Sequence, residues 1–353
     1  MSEPTTKIFT FPPADIVVQP LYKYTDDQNA QIELLRQYAH SQALPSDDDY
    51  SPWEIRWLNK PDTIPRYMRA AKWNLADGKK RIKATMEWRR EYKPDLIPPD
   101  EVKIESETGK IIINGFDKDG RPIIYMRPGR ENTETSPRQL RHLVWCLERA
   151  KDLMPPGQES LVIIVDYKST TLRTNPSISI ARKVLHILQQ HYVETLGRAI
   201  VVNLPMLLNF FYKGISPFLD PVTRDKMRFN PDLLELIPAS QLDADFGGQN
   251  NFQFDANSYW EQIVTACKVA PDGTRIGFPP KEGEVSSPTT TAVGSDKDSD
   301  SATVHDTDEE LGPVLQKFAN LSTDRDEKDK TQVQVTEAAV EFEEARATLK
   351  PVA

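Results

Sequence analysis

Apolar residues follow two different spacings along this chain. Between residues 29 and 99 they recur every three or four positions, as in NAQIELLRQYAHSQA, which is the spacing of one helix face. From about residue 100, short β-branched runs take over, including KIIINGF, LVIIVDY and AIVVNLP. A helical pattern, ISIARKVLHILQQHYVE, lies between the last two runs, and this β-α-β order predicts parallel strands with a right-handed crossover. The sequence therefore predicts an α/β fold with a helical N-terminal lobe and a mostly parallel sheet.

Local signals mark the ends of these elements. The Asp-Lys-Asp-Gly sequence at 117–120 joins two β runs and predicts a hairpin, whereas a calcium loop would need Glu where Pro128 stands. Helix starts are predicted at Ser51-Pro52, at Asn74 or Asp77, and at Asn175-Pro176, because Ser, Asn and Asp accept hydrogen bonds from free backbone N–H groups. Further on, KMRFN predicts a short strand and PDLLELIP a short helix.

One segment after Pro205, MLLNFFYKGISPFL, is apolar in nearly every direction rather than along one stripe. It is too short to span a bilayer, which needs about 20 apolar residues. A helix that is apolar all round is buried, and this reading makes the segment a core helix. Gly214, Ser216 and Pro217 at its far end are typical of a pivot. They favour a second reading, a lid that covers an apolar cavity when closed and meets a membrane when open.

Charge is spread unevenly along the 353 residues. Residues 281–353 hold 8 Lys/Arg and 17 Asp/Glu, which accounts for the whole net charge of −9. The remainder is balanced, which argues against a nucleic-acid-binding protein, since such a protein needs a clustered basic surface. The Ser/Thr-rich acidic tail is too polar to offset its ordering entropy, so we expect it to be disordered. The predicted divisions are an irregular arm at 1–28, a helical lobe at 29–99, an α/β domain at 100–280 and the tail at 281–353.

Catalytic and metal-binding signatures are missing from the sequence. It has no GxSxG elbow, GxGxxG loop, Walker loop or HExxH motif. Cys146 and Cys267 lie far apart, without the spacing of a metal site, and indicate a reducing compartment. The first twenty residues lack the pattern of a secretion signal. We therefore expect a cytoplasmic protein that is not an enzyme and has no metal site, no cofactor and no membrane span.

Three stretches together resemble the fungal phosphatidylinositol-transfer branch of the CRAL-TRIO lipid-binding family. They are RYMRAAKW with WRREY, DKDGRPIIY, and HYVETLG through FLDPVTRDK, within residues 50 to 250. The resemblance implies a helical lobe and an α/β lobe with a deep lipid pocket closed by a gate helix. The gate falls on the apolar segment described above, with Phe210, Phe211, Ile215 and Phe218 as its membrane-facing residues.

The resemblance also implies a site for the inositol phosphate head group. The family's contacts fall on Glu194, Thr223 and Lys226 in this sequence. A carboxylate accepts hydrogen bonds from inositol hydroxyls, and a phosphodiester needs a cation and short donors. The family's N-terminal motif has a third arginine where this chain has Ala71. Arg69 and Lys72 are the candidates to replace it.

Four positions bear on a second ligand. Family members that also carry phosphatidylcholine hold the choline phosphate with two tyrosines, a serine and a threonine. The corresponding positions here are Ile113, Ile124, Leu161 and Ile163. A phosphate among aliphatic side chains would lose its hydrogen bonds, so phosphatidylcholine should be refused. The apolar surface suits a flat hydrophobic ligand such as a sterol.

These observations are compatible with two functions, a lipid carrier and a regulatory scaffold. The first is a carrier that extracts phosphatidylinositol and exchanges it between membranes or presents it to lipid kinases, with transient contact to the endoplasmic reticulum, lipid droplets or the cell periphery. The second is a regulatory scaffold whose lipid is structural and whose acidic tail binds a protein partner. Removal of the tail distinguishes them, because a carrier keeps its transfer activity.

Overall fold

The computed structural model describes residues 3–171, 174, 178–204 and 225–278 of the chain. These residues belong to one compact unit, Met1–Ser286. Several predictions fall outside the described residues: the gate with its four named side chains, Thr223, the helix start at Asn175-Pro176 and the acidic tail.

The α/β fold predicted from the sequence is confirmed. A helical lobe comes first and a mostly parallel sheet with its own helices follows. The helices are α1 Asp26–Ser41, α2 Ser51–Leu58, α3 Thr63–Ala70, α4 Leu75–Tyr92, α5 Pro99–Ser106, α6 Pro137–Asp152, α7 Ile178–His186, α8 Leu233–Leu236 and α9 Ala256–Ala266. A π-helix, Ile187–His191, continues α7, and single 3-10 turns lie at Pro94–Leu96, Pro128–Arg130 and Ala244–Phe246.

The described residues form one five-stranded sheet in the order β1-β2-β3-β4-β5. The strands are β1 Ile111–Phe116, β2 Pro122–Met126, β3 Leu161–Asp166, β4 Leu196–Val202 and β5 Met227–Phe229. The first pair is the antiparallel hairpin that the Asp-Lys-Asp-Gly turn predicts, and all later pairs are parallel. A bulge interrupts β1 at Gly115, where φ is +79° and a Cβ would lie 2.5 Å from the Gln241 carbonyl oxygen.

Side-chain caps begin α1, α4, α8 and α9, whereas the cap predicted at Ser51 is absent. Asn74 accepts a hydrogen bond from the backbone N–H of Asp77, as predicted. Thr25 and Gln28 form a reciprocal capping box that starts α1. Ser51, predicted as a cap, is instead the first residue of α2, and its hydroxyl donates to the Leu44 carbonyl at 3.3 Å. The hydroxyl group therefore ties α2 to the preceding loop.

Two apolar cores correspond to the two lobes. The helical lobe packs around residues such as Leu35, Ile64 and Met68, each 0% exposed, and Val193 from the sheet lobe joins this core. The sheet lobe packs around the central strands together with α6 and α9. Because Val193 lies just before β4, the lobes meet at the edge where β4 begins.

The two faces of the sheet differ in exposure. One face carries Ile112, Ile123, Ile164 and Ile200, all 0% exposed. On the other face the strand register places Ile113, Ile124, Ile163 and Ala199 in one row. Further along that face, Met126, Val165 and Met227 are partly exposed. The second face is therefore apolar but incompletely covered.

Candidate functional site

Glu194 and Lys226 meet at one edge of the parallel sheet. Glu194 lies two residues before β4, and Lys226 directly precedes β5. Parallel strands begin at the same edge, so side chains that precede neighbouring strands lie close together. The Lys226 Nζ atom is 3.5 Å from Glu194 Oε2, and the side chains are 23% and 22% exposed. The structure thus brings together two of the three residues that the resemblance implies for the head group.

Arg66 holds the backbone on both sides of Glu194. Its Nη1 donates to the Val193 carbonyl at 2.9 Å and to Thr195 Oγ1 at 3.0 Å. Its Nε donates to Asp62 Oδ2 at 2.8 Å, and the side chain is 1% exposed. Glu194 itself has a φ of +56°, which is uncommon for a residue with a Cβ and needs support from its surroundings. The buried arginine from α3 supplies that support.

Arg69 lies one helical turn beyond Arg66 and contacts three groups. Its guanidinium forms an ion pair with Glu159, donates to the Tyr24 hydroxyl, and lies 3.7 Å from the centre of the Tyr22 ring. Burial lowers the pKa of Arg69, but the Glu159 carboxylate outweighs burial, so this pKa is above its ordinary value. The charge of Arg69 is therefore already balanced within the protein.

Glu159 occupies the same place before β3 that Glu194 occupies before β4. The strands pair Leu161 with Leu196, and the Leu161 N–H donates to the Thr195 carbonyl at 2.9 Å. Both carboxylates therefore stand two residues before paired strand positions. Arg69, Glu159, Glu194 and Lys226 consequently share one edge of the sheet. Ala71, which replaces the family's third arginine, is buried and 4% exposed.

Sequence reasoning missed Arg66, Glu159 and Tyr22. The spacing of Arg66 and Arg69 was the available signal, because residues three apart share a helix face. Glu159 and Tyr22 gave no comparable signal. Both residues contact Arg69, which lies 90 positions from Glu159 and 47 positions from Tyr22 in the sequence. Only the pairing of β3 with β4 shows that Glu159 lies beside Glu194.

The four positions predicted for a second ligand share the partly exposed face of the sheet. Ile113 pairs with Ile124, Ile124 pairs with Ile163, and Leu161 lies two residues before Ile163. All four are nearly buried, with Ile163 the most exposed at 5%. The row contains only aliphatic side chains, so it offers no donor to a phosphate group.

A buried thiol and imidazole lie in contact but are poor candidates for catalysis. Cys146 Sγ is 3.5 Å from His142 Nε2. Burial raises the pKa of Cys146 to about 12, and burial together with the nearby Lys110 charge lowers the pKa of His142 to about 3. Both groups are therefore neutral near pH 7, whereas a nucleophilic cysteine needs a stabilised thiolate.

Residues 3–171, 174, 178–204 and 225–278 contain no group of three or more His, Cys, Asp or Glu that could hold a metal ion. Within the same ranges, every helix is too short or too polar to cross a bilayer.

Comparisons with known proteins agree with this architecture. The family model described as CRAL/TRIO domain matches residues 106–248. The chain is 42% identical over 266 residues to a CRAL-TRIO domain-containing protein of Schizosaccharomyces pombe, covering 73% of this chain and 26% of that protein. It is 36% identical over 288 residues to the phosphatidylinositol transfer protein PDR17 of Saccharomyces cerevisiae, covering 74% of this chain and 82% of PDR17.

Two further comparisons are more distant. The chain is 29% identical over 239 residues to the SEC14 cytosolic factor of Candida glabrata, covering 60% of this chain and 79% of that protein. Among solved structures, the crystal structure of Sfh5 matches with a TM-score of 0.49 and 17% identity, over 67% of this chain and 92% of Sfh5. The chain therefore spans most of the length of PDR17 but only about a quarter of the Schizosaccharomyces pombe protein.

Proposed function

Because this chain belongs to the CRAL-TRIO family, in the fungal phosphatidylinositol-transfer branch of PDR17, we propose that it carries phosphatidylinositol. It extracts the lipid from one membrane, shields it in an apolar cavity, and delivers it to another membrane or to a lipid kinase. The main support for this proposal is the Glu194–Lys226 pair, together with an apolar sheet face that is only partly covered. Such a protein is a carrier and not an enzyme. It works from the cytoplasm with transient membrane contact.

The chemistry of the pair suits an inositol phosphate. The Glu194 carboxylate accepts hydrogen bonds from inositol hydroxyls, and the Lys226 ammonium faces the phosphodiester, with Thr223 as a short donor. Both charged side chains keep some exposure, so a ligand can reach them. In this structure they neutralise each other across 3.5 Å. The ligand replaces this contact with two of its own.

A covered cavity is required on energetic grounds. Burial of a methylene group is worth about 0.8 kcal/mol, so roughly thirty acyl methylenes cost about 25 kcal/mol when exposed to water. The aliphatic face of the sheet provides the surface that shields the acyl chains. The gate, with Phe210, Phe211, Ile215 and Phe218, closes over it. The same aliphatic row, without any hydroxyl group, refuses phosphatidylcholine and leaves room for a sterol as second ligand.

The first prediction tests the head-group pair. Glu194→Ala and Lys226→Ala should each abolish phosphatidylinositol transfer between vesicles while leaving the thermal unfolding midpoint near that of the parent. The reason is that the ligand, and not the fold, depends on these partly exposed charges. Glu33→Ala is a matched control, because Glu33 is a partly exposed carboxylate paired with Arg36 at 3.3 Å on α1. It should transfer at the parent rate.

The same vesicle assay tests whether the protein distinguishes phosphatidylinositol from phosphatidylcholine. Labelled phosphatidylinositol should be transferred and labelled phosphatidylcholine should not. Parent-rate phosphatidylinositol transfer by both Glu194→Ala and Lys226→Ala would show that the head group lies elsewhere. Comparable rates for the two parent lipids would show that the aliphatic row does not select against choline.

A further inference from the structure

The N-terminal arm, residues 3–25, runs in contact with the rest of the fold although its backbone is irregular. Thr5 pairs with Phe252 in a parallel bridge, and the Phe9 N–H donates to Asn114 Oδ1 at 2.9 Å. Further along, the Gln19 N–H donates to the Asp119 carbonyl at 3.0 Å. The arm is therefore held along the sheet lobe before it enters α1.

Two glycines allow the arm to approach the sheet lobe closely. A Cβ at Gly120 would lie 3.4 Å from a methyl group of Val18. A Cβ at Gly157 would lie 3.2 Å from a methyl group of Leu21. The residue after Leu21 is Tyr22, so the arm lies close to the sheet lobe directly before Tyr22.

Tyr22 lies at the edge of the sheet that carries the head-group pair. Its ring covers the Arg69 guanidinium at 3.7 Å and stacks on Tyr24 with ring centres 6.4 Å apart. Tyr24 in turn packs edge-on against Trp73 with ring centres 5.6 Å apart. A guanidinium at this distance from a ring face attracts it electrostatically. The aromatic ring is thus held in place although the residue is 43% exposed.

The surroundings of the phenol include the head-group carboxylate. Burial raises the pKa of Tyr22, and Glu194 and Glu159 act in the same direction while Arg69 opposes them. The hydroxyl is therefore protonated at neutral pH and able both to donate and to accept a hydrogen bond. The Glu194 carboxylate can only accept. Inositol hydroxyls do both, so a site with a carboxylate and a phenol matches them better than a carboxylate alone.

We propose that Tyr22 is a head-group contact, with its hydroxyl group hydrogen-bonded to the inositol ring beside Glu194. The arm then forms the outer wall of the polar end of the lipid site. Arg69, balanced by Glu159, is a positioning residue that holds the Tyr22 ring and does not itself bind the phosphate. This inference rests on the proposed function, because it takes inositol as the head group.

The test compares lipid selectivity in full-length variants. Each protein is incubated with vesicles that contain equal amounts of phosphatidylinositol and phosphatidylglycerol with the same acyl chains, and the captured lipids are quantified by mass spectrometry. Tyr22→Phe, which keeps the ring, should lower the ratio of captured inositol lipid to glycerol lipid about fivefold, the effect of one hydrogen bond. Tyr22→Ala should lower it further. Phe11→Ala, a 78% exposed aromatic residue on the same arm, should leave the ratio unchanged.

Glu194→Gln distinguishes a failure of the role of Tyr22 from a failure of the head-group site itself. A parental ratio in Tyr22→Phe and Tyr22→Ala, together with a lowered ratio in Glu194→Gln, would overturn the role of Tyr22 and leave the head-group site standing. A parental ratio in all three would overturn the site and the inference with it. An equal fall in Phe11→Ala would show a general effect of the arm and would also overturn the inference.

Discussion

Arg66 and Arg81 make the same local contact in different surroundings. Each pairs with an aspartate four residues earlier, Asp62 or Asp77, at nitrogen–oxygen distances of 2.8 and 2.7 Å. The side chain of Arg66 is 1% exposed and that of Arg81 is 34% exposed. Arg66 additionally serves acceptors on both sides of Glu194. Burial and extra partners, and not the i,i+4 pair itself, make Arg66 important for the site.

The second prediction follows from this contrast. Arg66→Met should lower the free energy of unfolding by about 3 kcal/mol, because it leaves the partly buried Asp62 carboxylate and the buried Val193 carbonyl without their donor. Arg81→Met should lower it by only about 0.3–0.5 kcal/mol, the value of an exposed helix pair. Urea denaturation of both variants measures the difference. Equal losses would show that the contacts of Arg66 to the β4 entry do not contribute to stability.

At the scale of elements, the π-helix Ile187–His191 joins the lobes. It places the His191 ring parallel to that of Trp88 on α4, with ring centres 4.3 Å apart and an interplanar angle of 5°. His191 Nδ1 lies 3.4 Å from Thr85 Oγ1. Burial, with smaller contributions from the charges of His186 and Arg89, lowers the pKa of His191 to about 4. The imidazole is therefore neutral in the folded protein above that pH.

The third prediction concerns acid stability. An unfolded histidine has a pKa of about 6.5, so between pH 6.5 and 4 the unfolded chain binds a proton that folded His191 does not. Stability should consequently fall as the pH falls through this window. His191→Phe keeps the stacked ring and removes the titration. The slope of the free energy of unfolding against pH should therefore decrease by the equivalent of about one proton in this window. Urea denaturation at several pH values checks it, and an unchanged slope would contradict the prediction. His142, with a pKa of about 3, keeps its own contribution in both proteins.

The fourth prediction concerns the gate segment. Replacement of Phe210 and Phe211 by Asp should slow lipid exchange, because an open lid must present apolar side chains to the bilayer and residues 1–280 carry no net charge to attract it. The control replaces Phe11 and Val17, 78% and 67% exposed on the N-terminal arm, by Asp. It introduces the same charge and should exchange lipid normally. Unchanged exchange in the Phe210/Phe211 variant would favour a core helix.

At the scale of the whole molecule, the compact unit ends at Ser286. The head-group pair, the apolar sheet face and the arm all lie within this unit. The fifth prediction is therefore that a chain without residues 287–353 transfers phosphatidylinositol at the parent rate. The vesicle assay used for the head-group variants measures it. Loss of function on removal of the tail, with the lipid still bound, would instead favour the scaffold that acts through its acidic residues.

The sequence by itself determined the fold class, the β1–β2 hairpin and the parallel direction of β3 and β4. β-branched runs and the Asp-Lys-Asp-Gly turn act over a few residues, so they specify the β1–β2 hairpin and the parallel strands without knowledge of distant contacts. Asn74 as a helix cap is equally local. The resemblance added Glu194 and Lys226, because these residues stand within recognisable motifs. Periodicity alone did not identify them.

Only the tertiary structure decided what surrounds the head-group pair. Arg66 reaches acceptors 127 and 129 residues away, and Arg69 reaches Glu159 across 90 residues. No local pattern encodes such contacts, because they depend on how the helical lobe docks on the start of β3 and β4. The N-terminal arm is a second example of contacts that its own sequence does not predict. Its prolines indicate an irregular backbone, and the backbone is irregular. Its irregular chain nevertheless lies against Gly120 and Gly157, and its backbone N–H groups donate to Asn114 and Asp119, because contacts with distant residues satisfy a backbone that has no regular secondary structure.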